Sequence, residues 1–491
     1  MLIIKNVSKT FQDKKILRNI NLSIENTEVV GLVGRNGAGK TTLLRIINRE
    51  MEIDSGTIES VNEIIGYLPQ HFEFQNETIQ EYLKKGGLAL EEEYRLDVVL
   101  EEVGLGHISK QRLARSLSGG ERTKLHLASI LLKDPTILLL DEPTNNLDLE
   151  GLLWLESFIK RFKGGILLTS HDRTFLDNSV DSIVEVEKGE LSRFGGNYSF
   201  FKAQKEVARE NALKQFQNNR KEISKFKNAI KNKQDKARDL TKKRKPKDGD
   251  KMGRDFLQAK ALKKTVASQK ALETRLSKTI ELEKPEERVI YPFSFKGEAR
   301  STKFMIEAKK ITKKYDSFQV FTDVSFTVQG KEHLWVSGKN GSGKSTLLKI
   351  MTGNIVPDSG KVELGATINV GYFSQELNES VSDETVLSYL QKLGASTTEA
   401  FRYGAYMKIN PEDLRRKVNE LSRGQRTKLE FIKLLMEDND LLILDEPTNH
   451  LEIDTREQIE RALREYQGAI IVASHDRYFL KNIGIDKEYR L

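Results

Sequence analysis

Cysteine is absent from the 491 residues. That excludes a disulfide scaffold, cysteine-ligated zinc, iron–sulfur ligation and a thiol nucleophile, and it fits a reducing compartment. Long apolar runs are absent too. The N-terminal Met1-Leu2-Ile3-Ile4-Lys5 lacks the apolar core of a signal peptide. Blocks such as Ile137 to Leu140 have strand length, far short of the ~20 apolar residues of a membrane helix. A soluble, cytoplasmic chain is the expectation. Disorder is excluded as well, because 38% hydrophobic and 8% aromatic residues are enough to build packed cores. At about 100–200 residues per domain, the length allows two to four domains.

What is present is a sequence written twice. Gly34-Arg35-Asn36-Gly37-Ala38-Gly39-Lys40-Thr41 recurs 304 residues later as Gly338-Lys339-Asn340-Gly341-Ser342-Gly343-Lys344-Ser345. Asp54-Ser55-Gly56, Leu117-Ser118-Gly119-Gly120-Glu121, Asp141-Glu142-Pro143-Thr144-Asn145 and Ser170-His171-Asp172-Arg173 recur at the same offset. Gln70 and Gln375 stand 305 apart. The expected division is a first domain over 1–195, a connecting segment over 196–300 and a second domain over 301–491.

Both glycine-rich loops fit G-x-x-x-x-G-K-[ST]. Each follows an apolar run and opens a helical pattern, the strand–loop–helix context that a phosphate-binding loop requires. Gly34, Gly37, Gly39 and Asn36, with Gly338, Gly341, Gly343 and Asn340, let backbone N–H groups close on phosphates. Lys40 and Lys344 are placed to reach the β- and γ-phosphates. Thr41 and Ser345, with Thr42 and Thr346 beside them, suit a Mg²⁺ shell. The runs Ile137 to Leu140 and Leu441 to Leu444 read as strands buried on both faces of a parallel sheet. Each delivers a carboxylate pair at its C-terminal end, where α/β ligands bind. Asp141 and Asp445 suit Mg²⁺, and Glu142 and Glu446 suit polarisation of the attacking water.

The order phosphate loop, Gln, LSGGE, LLLDEPT, SHD resembles an ATP-binding cassette (ABC) nucleotide-binding domain. The fold implied is α/β: two ABC-type cassettes joined by a long antiparallel helical linker. The resemblance further implies that Ser118, Gly119 and Gly120, with Ser422 and Gly424, contact ATP held by the opposite copy. Gln70 and Gln375 match the Q-loops that join the Mg²⁺ shell. His171 and His475 match the switch histidines, and Phe11 and Tyr315 match the aromatic stacked on adenine. The other histidines (His71, His107, His126, His333, His450) read as structural. Asp445-Glu446-Pro447-Thr448-Asn449-His450-Leu451 resembles the hallmark of the ABC-F group, tandem cassettes that act on ribosomes. Asn146, Glu452, Arg423 and Gln425 depart from the usual pattern, so the two ATP sites are expected to be unequal.

The connecting segment points to a partner. Residues 201–290 carry 27 basic and 13 acidic side chains, a net of +14 against +8 for the whole chain, which leaves −6 elsewhere. Phe216, Ile223, Phe226 and Ile230 form a heptad-like seam on a first helix over 198–240, about 60 Å long at ~1.5 Å per residue. Leu262, Val266, Leu272, Leu276 and Ile280 suggest the seam of a second helix. Between them Lys242, Lys243, Arg244, Lys245 and Lys247, broken by Pro246 and Gly249, form a basic tip near 241–255, followed by Met252 and Phe256. A basic spike of that length suits a polyanion.

The spacing from Gln70 to Ser118 is 48 residues and from Gln375 to Ser422 it is 47, which leaves no room for the extra arm of housekeeping ABC-F members. The chain also ends soon after the second switch histidine. Together these resemble the antibiotic-resistance branch. The implied activity is ATP-dependent binding in the E site of the bacterial 70S ribosome, against 23S rRNA and P-site tRNA. The linker then reaches toward the peptidyl-transferase centre and displaces a drug. The implied protein is a monomer whose two cassettes pair within one chain. The alternatives are a general translation factor for stalled ribosomes, a tandem ATPase of a membrane importer, and a DNA-maintenance protein.

Overall fold

The computed structural model describes the chain except residues 61–62, 86–92, 146, 242–250, 280–281, 283, 285–292, 298–303, 316–317, 375–382 and 450. Gln375, the cations Lys242, Lys243, Arg244, Lys245 and Lys247, and Asn146, Ile280 and His450 therefore lie outside the described residues. The chain forms two compact units, Met1–Ser199 with Ile290–Leu491, and Phe200–Val289.

The larger unit contains both copies of the repeat. In the first copy a six-stranded sheet runs in the order Ile65–Leu68, Ile137–Asp141, Gly165–Thr169, Val29–Gly34, Ser182–Glu187, Glu190–Gly195, parallel except for its last pair. In the second a five-stranded parallel sheet repeats the arrangement with Val370–Phe373, Leu441–Asp445, Ala469–Ala473, His333–Ser337 and Lys487–Arg490. Strands later in the chain lie on both sides of Val29–Gly34, and likewise of His333–Ser337. That reversal opens a crevice at the C-terminal strand ends. Ile137–Asp141 and Leu441–Asp445 are buried throughout, as expected of apolar runs covered on both faces.

Each copy adds a three-stranded antiparallel sheet, with Leu2–Phe11 between Lys14–Ile24 and Ser55–Ser60, and Phe304–Tyr315 between Phe318–Gln329 and Ser359–Leu364. In the first copy Leu2, Ile4, Leu17, Val30, Leu43 and Leu139 close one core between this sheet, the central sheet and the helix after the phosphate loop. Met305, Ile306, Val336, Leu347 and Ile443 repeat that core in the second.

The copies meet through ion pairs that obey the repeat. Arg173 pairs with Glu460, and Arg477, its counterpart, pairs with Glu156, the counterpart of Glu460. Asn482 Nδ2 donates to Glu460 (2.7 Å) and Asn178 Nδ2 to Glu156 (3.2 Å). Each glutamate thus holds an arginine of the other copy and an asparagine of its own, a self-complementary junction. Arg173 is fully buried and also lies over the Tyr478 ring at 4.0 Å.

The smaller unit is helical. Tyr198–Thr241 spans 44 residues and Lys251–Lys278 spans 28, about 66 and 42 Å at ~1.5 Å per residue. The helices are antiparallel, since Leu282 N, beyond the second, donates to Asn219 Oδ1 on the first at 3.3 Å. Ile223 and Ile230 are buried and Phe216 and Phe226 half-buried, as their spacing predicts. The second seam needs correction: Val266 is exposed and Thr265 is buried in its place. The reason is register. Leu262, Thr265, Gln269, Leu272 and Leu276 keep alternating steps of three and four, which Val266 breaks. Thr265 Oγ1 donates to Ala261 O (2.8 Å), so the buried hydroxyl is satisfied. Phe256 is exposed, and Met252 lies in the first turn of its helix.

Truncating one partner of a buried ion pair strands the other. Arg173→Ala is expected to cost about 3–5 kcal/mol by denaturant unfolding, and Arg173→Met with Glu460→Leu to recover most of it. A loss below about 1 kcal/mol for Arg173→Ala would show that the junction contributes no more than a surface pair.

Candidate active sites

Each phosphate loop ends in a glycine with left-handed backbone. Gly39 (φ 108°) and Gly343 (φ 95°) begin the helices Lys40–Ile47 and Lys344–Met351. A side chain there would meet Ile16 in one copy and Val320 in the other. Gly37 (φ 75°) and Gly341 (φ 81°) face open space. Positive φ at these turns directs successive N–H groups into one hollow, a concavity suited to anions. Lys40 Nζ donates to Gly34 O (2.7 Å) and Arg35 O (3.3 Å), and Lys344 Nζ to Gly338 O (2.9 Å) and Lys339 O (3.0 Å). Both ammoniums therefore sit within their own loops. Asn36, Thr41 and Thr42, and Asn340, Ser345 and Thr346, occupy the same loops and first helical turns.

The strand-end carboxylates complete each hollow. Thr169 Oγ1 donates to Asp141 Oδ1 (2.7 Å) and accepts from Glu142 N (2.8 Å). At the corresponding place in the second copy stands Ala473, and its carbonyl oxygen accepts from Glu446 N (2.8 Å). These anchors hold Glu142 (φ 51°) and Glu446 (φ 47°) in the left-handed region, a strain of order 1–3 kcal/mol that clusters at functional sites. Burial pushes the Glu142 carboxyl up, opposed by Lys40 and Arg456. Burial and then the Asp445 charge push Glu446 up to about 8, with Lys344 opposing.

His171 and His475 face these glutamates. His171 Nε2 lies 3.4 Å from Glu142 Oε1, and His475 Nε2 lies 3.5 Å from Glu446 Oε1. His171 N donates to Glu142 Oε2 (3.3 Å). Burial first, then the nearby lysines, pushes His171 down to about 3 and His475 to about 4. Both rings are therefore neutral at pH 7, and the hydrogen bond that reaches Glu142 comes from the His171 backbone N–H rather than the ring.

Oxygen chemistry at the first site suits a hard divalent cation. Asp141 Oδ2 is buried with no hydrogen-bond partner, and the Thr41 hydroxyl bonds the same carboxylate. Ser345 and Asp445 offer the same donor types in the second copy. Gln70 is exposed, two residues past the strand Ile65–Leu68. Phe11 and Tyr315 are exposed at the ends of their strands, each with a lysine over the ring: Lys9 at 5.7 Å and Lys313 at 5.4 Å.

Ser118 and Ser422 cap the helices Gly119–Leu131 and Arg423–Met436. In both, the capping box closes: Glu121 Oε2 accepts from Ser118 N (2.7 Å), and Gln425 Oε1 from Ser422 N (2.9 Å). Gln425 thus keeps the geometry of Glu121 but drops its charge. Gly119, Gly120 and Gly424 lie in these first turns, whose free N–H groups suit an anion.

Contacts across the junction join each site to the other copy. Asp148 Oδ1 caps Gly151 N (2.9 Å) while Oδ2 accepts from Asn340 N in the opposite phosphate loop (3.2 Å). Lys339 pairs with Glu150 at 2.8 Å. Glu452, the counterpart of Asp148, makes no side-chain cap; burial pushes the Lys40 ammonium down, and Glu452, with Glu142 and Asp141, opposes it. Among the described contacts, none joins Ser118 or Ser422 to the opposite loop. Sequence reasoning did not single out Thr169, Asp148, Arg456 or the Arg173 and Glu156 pairs. Both partners of each of the last pairs repeat at the offset of 304, but repetition does not say which residues meet.

Comparison with known proteins agrees with this arrangement. A family model described as ABC transporter matches residues 17–145 and 321–449, and a second of the same description matches 184–291. The chain is 33% identical to the putative ATP-binding protein YdiF of Bacillus subtilis, covering 98% of this chain and 79% of that protein. It is 31% identical to the ribosome protection protein VmlR of the same organism, covering 98% and 87%. It is 30% identical to the ATP-binding protein Uup of Escherichia coli, covering 96% and 77%. A solved archaeal ribosome recycling factor, aABCE1, in complex with the stalk protein aP1, has the same fold. It shares 20% identity at a TM-score of 0.65, over 98% of this chain and 86% of that one.

Asp172 provides a pH test of the junction. Burial first, then the like charge of Asp476 across the junction, pushes its carboxyl up to about 6 from 3.8. A raised acid binds protons in the folded state between those values, so stability falls as pH rises through that window. The deficit is absent below about 4, complete above about 6, and at most about 3 kcal/mol at 1.36 per unit. Asp172→Asn, which can still cap Phe175 N, is expected to raise the thermal midpoint at pH 8 and leave it unchanged at pH 4. An equal shift at both pH values would refute the like-charge account.

Proposed function

The chain belongs to the ABC family of ATPases, as a tandem-cassette protein homologous to the ABC-F proteins, and from that premise we propose that it uses ATP to bind ribosomes through its basic helical segment. The observation that carries the proposal is charge: a helical insertion of net +14 between two cassettes whose remaining sequence is net −6. Such an excess neutralises phosphates and releases counterions, whatever the RNA sequence. Among the described residues no helix is long and apolar enough to cross a membrane. We assign the protein to the cytoplasm as a monomer whose cassettes pair within one chain.

Each site takes one ATP. Lys40 and Lys344 bind its phosphates within the loops, and Phe11 and Tyr315 offer a ring face to the base. Thr41, Asp141 and Gln70, with Ser345, Asp445 and Gln375, are the residues that would hold Mg²⁺. That ion would neutralise phosphate charge. Glu142 and Glu446 orient the attacking water, and the backbone N–H groups of His171 and His475 hold them, with the neutral rings alongside. Ser118, Gly119, Gly120, Ser422 and Gly424 present helix N-termini to the nucleotide of the opposite copy. ATP closes the copies and permits ribosome binding; hydrolysis opens them and releases it.

The finer reading is ribosomal protection. The segment enters from the E site of the 70S ribosome, beside 23S rRNA and P-site tRNA. Lys242, Lys243, Arg244, Lys245 and Lys247 hold rRNA, and Met252 or Phe256 disturbs a drug near the peptidyl-transferase centre. The exposure of Phe256, the nearly equal spacings between Q-loop and signature, and the resemblance to VmlR support it. The second reading is a general translation factor, which the charge of the basic segment serves equally well.

Glu142→Gln with Glu446→Gln keeps the phosphate loops but removes both water-orienting carboxylates. The double variant is expected to pellet with 70S ribosomes in ATP and to slow growth. Pelleting no better than the wild type would refute the cycle.

Reversing the five cations at 242–247 to Glu is expected to weaken ribosome binding and flatten its salt dependence by roughly one unit of log–log slope per lost phosphate contact. A deletion of 242–256 that still binds ribosomes separates the two readings. Lost protection in a drug-susceptibility panel supports displacement; unchanged protection leaves the general factor.

A further inference from the structure

Arg456 has no counterpart in the first copy, where Leu152 stands 304 residues earlier. Arg456 is 9% exposed. Its guanidinium spans the junction: Nε donates to Leu451 O (2.9 Å) and Nη1 to His171 O (3.1 Å), and Nη1 lies 3.4 Å from Asp476 Oδ2. Leu451 and Asp476 belong to its own copy, and His171 to the other. His171 in turn donates from its own N–H to Glu142 Oε2 at 3.3 Å. One residue is therefore gripped on one side by the second copy and on the other by the water-orienting carboxylate. The charged groups facing Arg456 are Asp476, Arg173, Glu142 and Asp172.

We propose that Arg456 is a positioning residue, supplied by the second copy, for the site of Lys40, Glu142 and His171, and that the site of Lys344, Glu446 and His475 works without one. The proposal rests on the assignment of those two sites as the places of hydrolysis. Three acceptors in three directions require a planar fork of fixed donors, which guanidinium has and ammonium lacks. Leu152, buried at the equivalent place, has no donor for His475 O. Both sites anchor the glutamate N–H within their own copy, Glu142 on Thr169 Oγ1 and Glu446 on Ala473 O, so Arg456 is an addition at the first site. Separation of the copies withdraws Arg456 from His171 at the first site, whereas at the second it withdraws Asp148 from Asn340 in the phosphate loop. Closure therefore reaches the histidine and its glutamate at the first site and the phosphate loop at the second.

Single-site proteins test this. Glu446→Gln retains the first site, and Glu142→Gln retains the second. In the first background Arg456→Leu is expected to lower kcat about ten-fold or more with KM within about three-fold, the pattern of lost positioning rather than lost binding. In the second background kcat is expected to stay within about two-fold. Arg456→Lys keeps a donor and a charge without the fork, and is expected to fall between wild type and Leu in the first background only. It decides the matter if the Leu variant does not fold. Thermal midpoints separate a structural role, because a folding defect would lower both backgrounds alike. Equal kcat losses in the two backgrounds, or none, overturn the proposal while leaving both sites standing. Single-site proteins that turn over ATP at the wild-type rate overturn the assignment of Glu142 and Glu446, and the proposal with it.

Discussion

Two guanidiniums, the fully buried Arg173 and the half-buried Arg477, each find a carboxylate on the other copy of the repeat. A buried charge without a partner is costly enough that Arg173 alone would oppose the fold. The repeat resolves this by reciprocity, since the residue that Arg173 needs, Glu460, is the counterpart of the Glu156 that Arg477 needs. Asn178 and Asn482 complete the carboxylates' hydrogen bonding from within each copy. The rest of the active architecture depends on this junction. It brings Asp148 to the opposite phosphate loop and Arg456 to the opposite switch loop.

The junction is symmetric in its scaffold and asymmetric in its chemistry. Thr169 supports the carboxylates of the first site where the second has Ala473. Asp148 caps its helix and holds Asn340, whereas the longer Glu452 does neither and lies near Lys40 instead. Glu121 brings a charge to its capping box and Gln425 does not. Thr169 gives polar support to the carboxylates of the first site, whereas Asp148 supports the phosphate loop of the second, so the differences do not all favour one site. Burial and the neighbouring Asp445 charge drive Glu446 up to about 8. A duplicated ATPase need not keep two equal sites. Shared binding energy across one junction lets the copies specialise while the scaffold remains paired.

The basic helical unit follows a different logic. Its seam buries few large side chains, so most of its surface is polar and charged. Long helices of this composition depend on a thin apolar stripe and on solvent for the rest. Thr265 and Gln269 at seam positions weaken that stripe without breaking its register. A scaffold with little core of its own suits a segment whose work is done by charge along its length.

Much of the protein could be read from the chain alone. The 304-residue offset, the two phosphate loops, the strand-end carboxylates and the switch histidines were all legible, because backbone turns and short motifs are local. The charge of the central segment was legible because charge sums without coordinates. The heptad of the first linker helix was legible too, but the second was misread at Val266, because hydrophobicity alone does not decide register when a threonine can satisfy its hydroxyl within the helix. What the chain could not reveal were pairings between distant residues: Arg173 with Glu460, Arg477 with Glu156, Asp148 with Asn340 and Arg456 with His171. Sequence determined which groups each copy owns. Only tertiary structure decided which of them meet, because a contact across 190 to 320 residues is set by how two folded surfaces fit and not by any spacing along the chain.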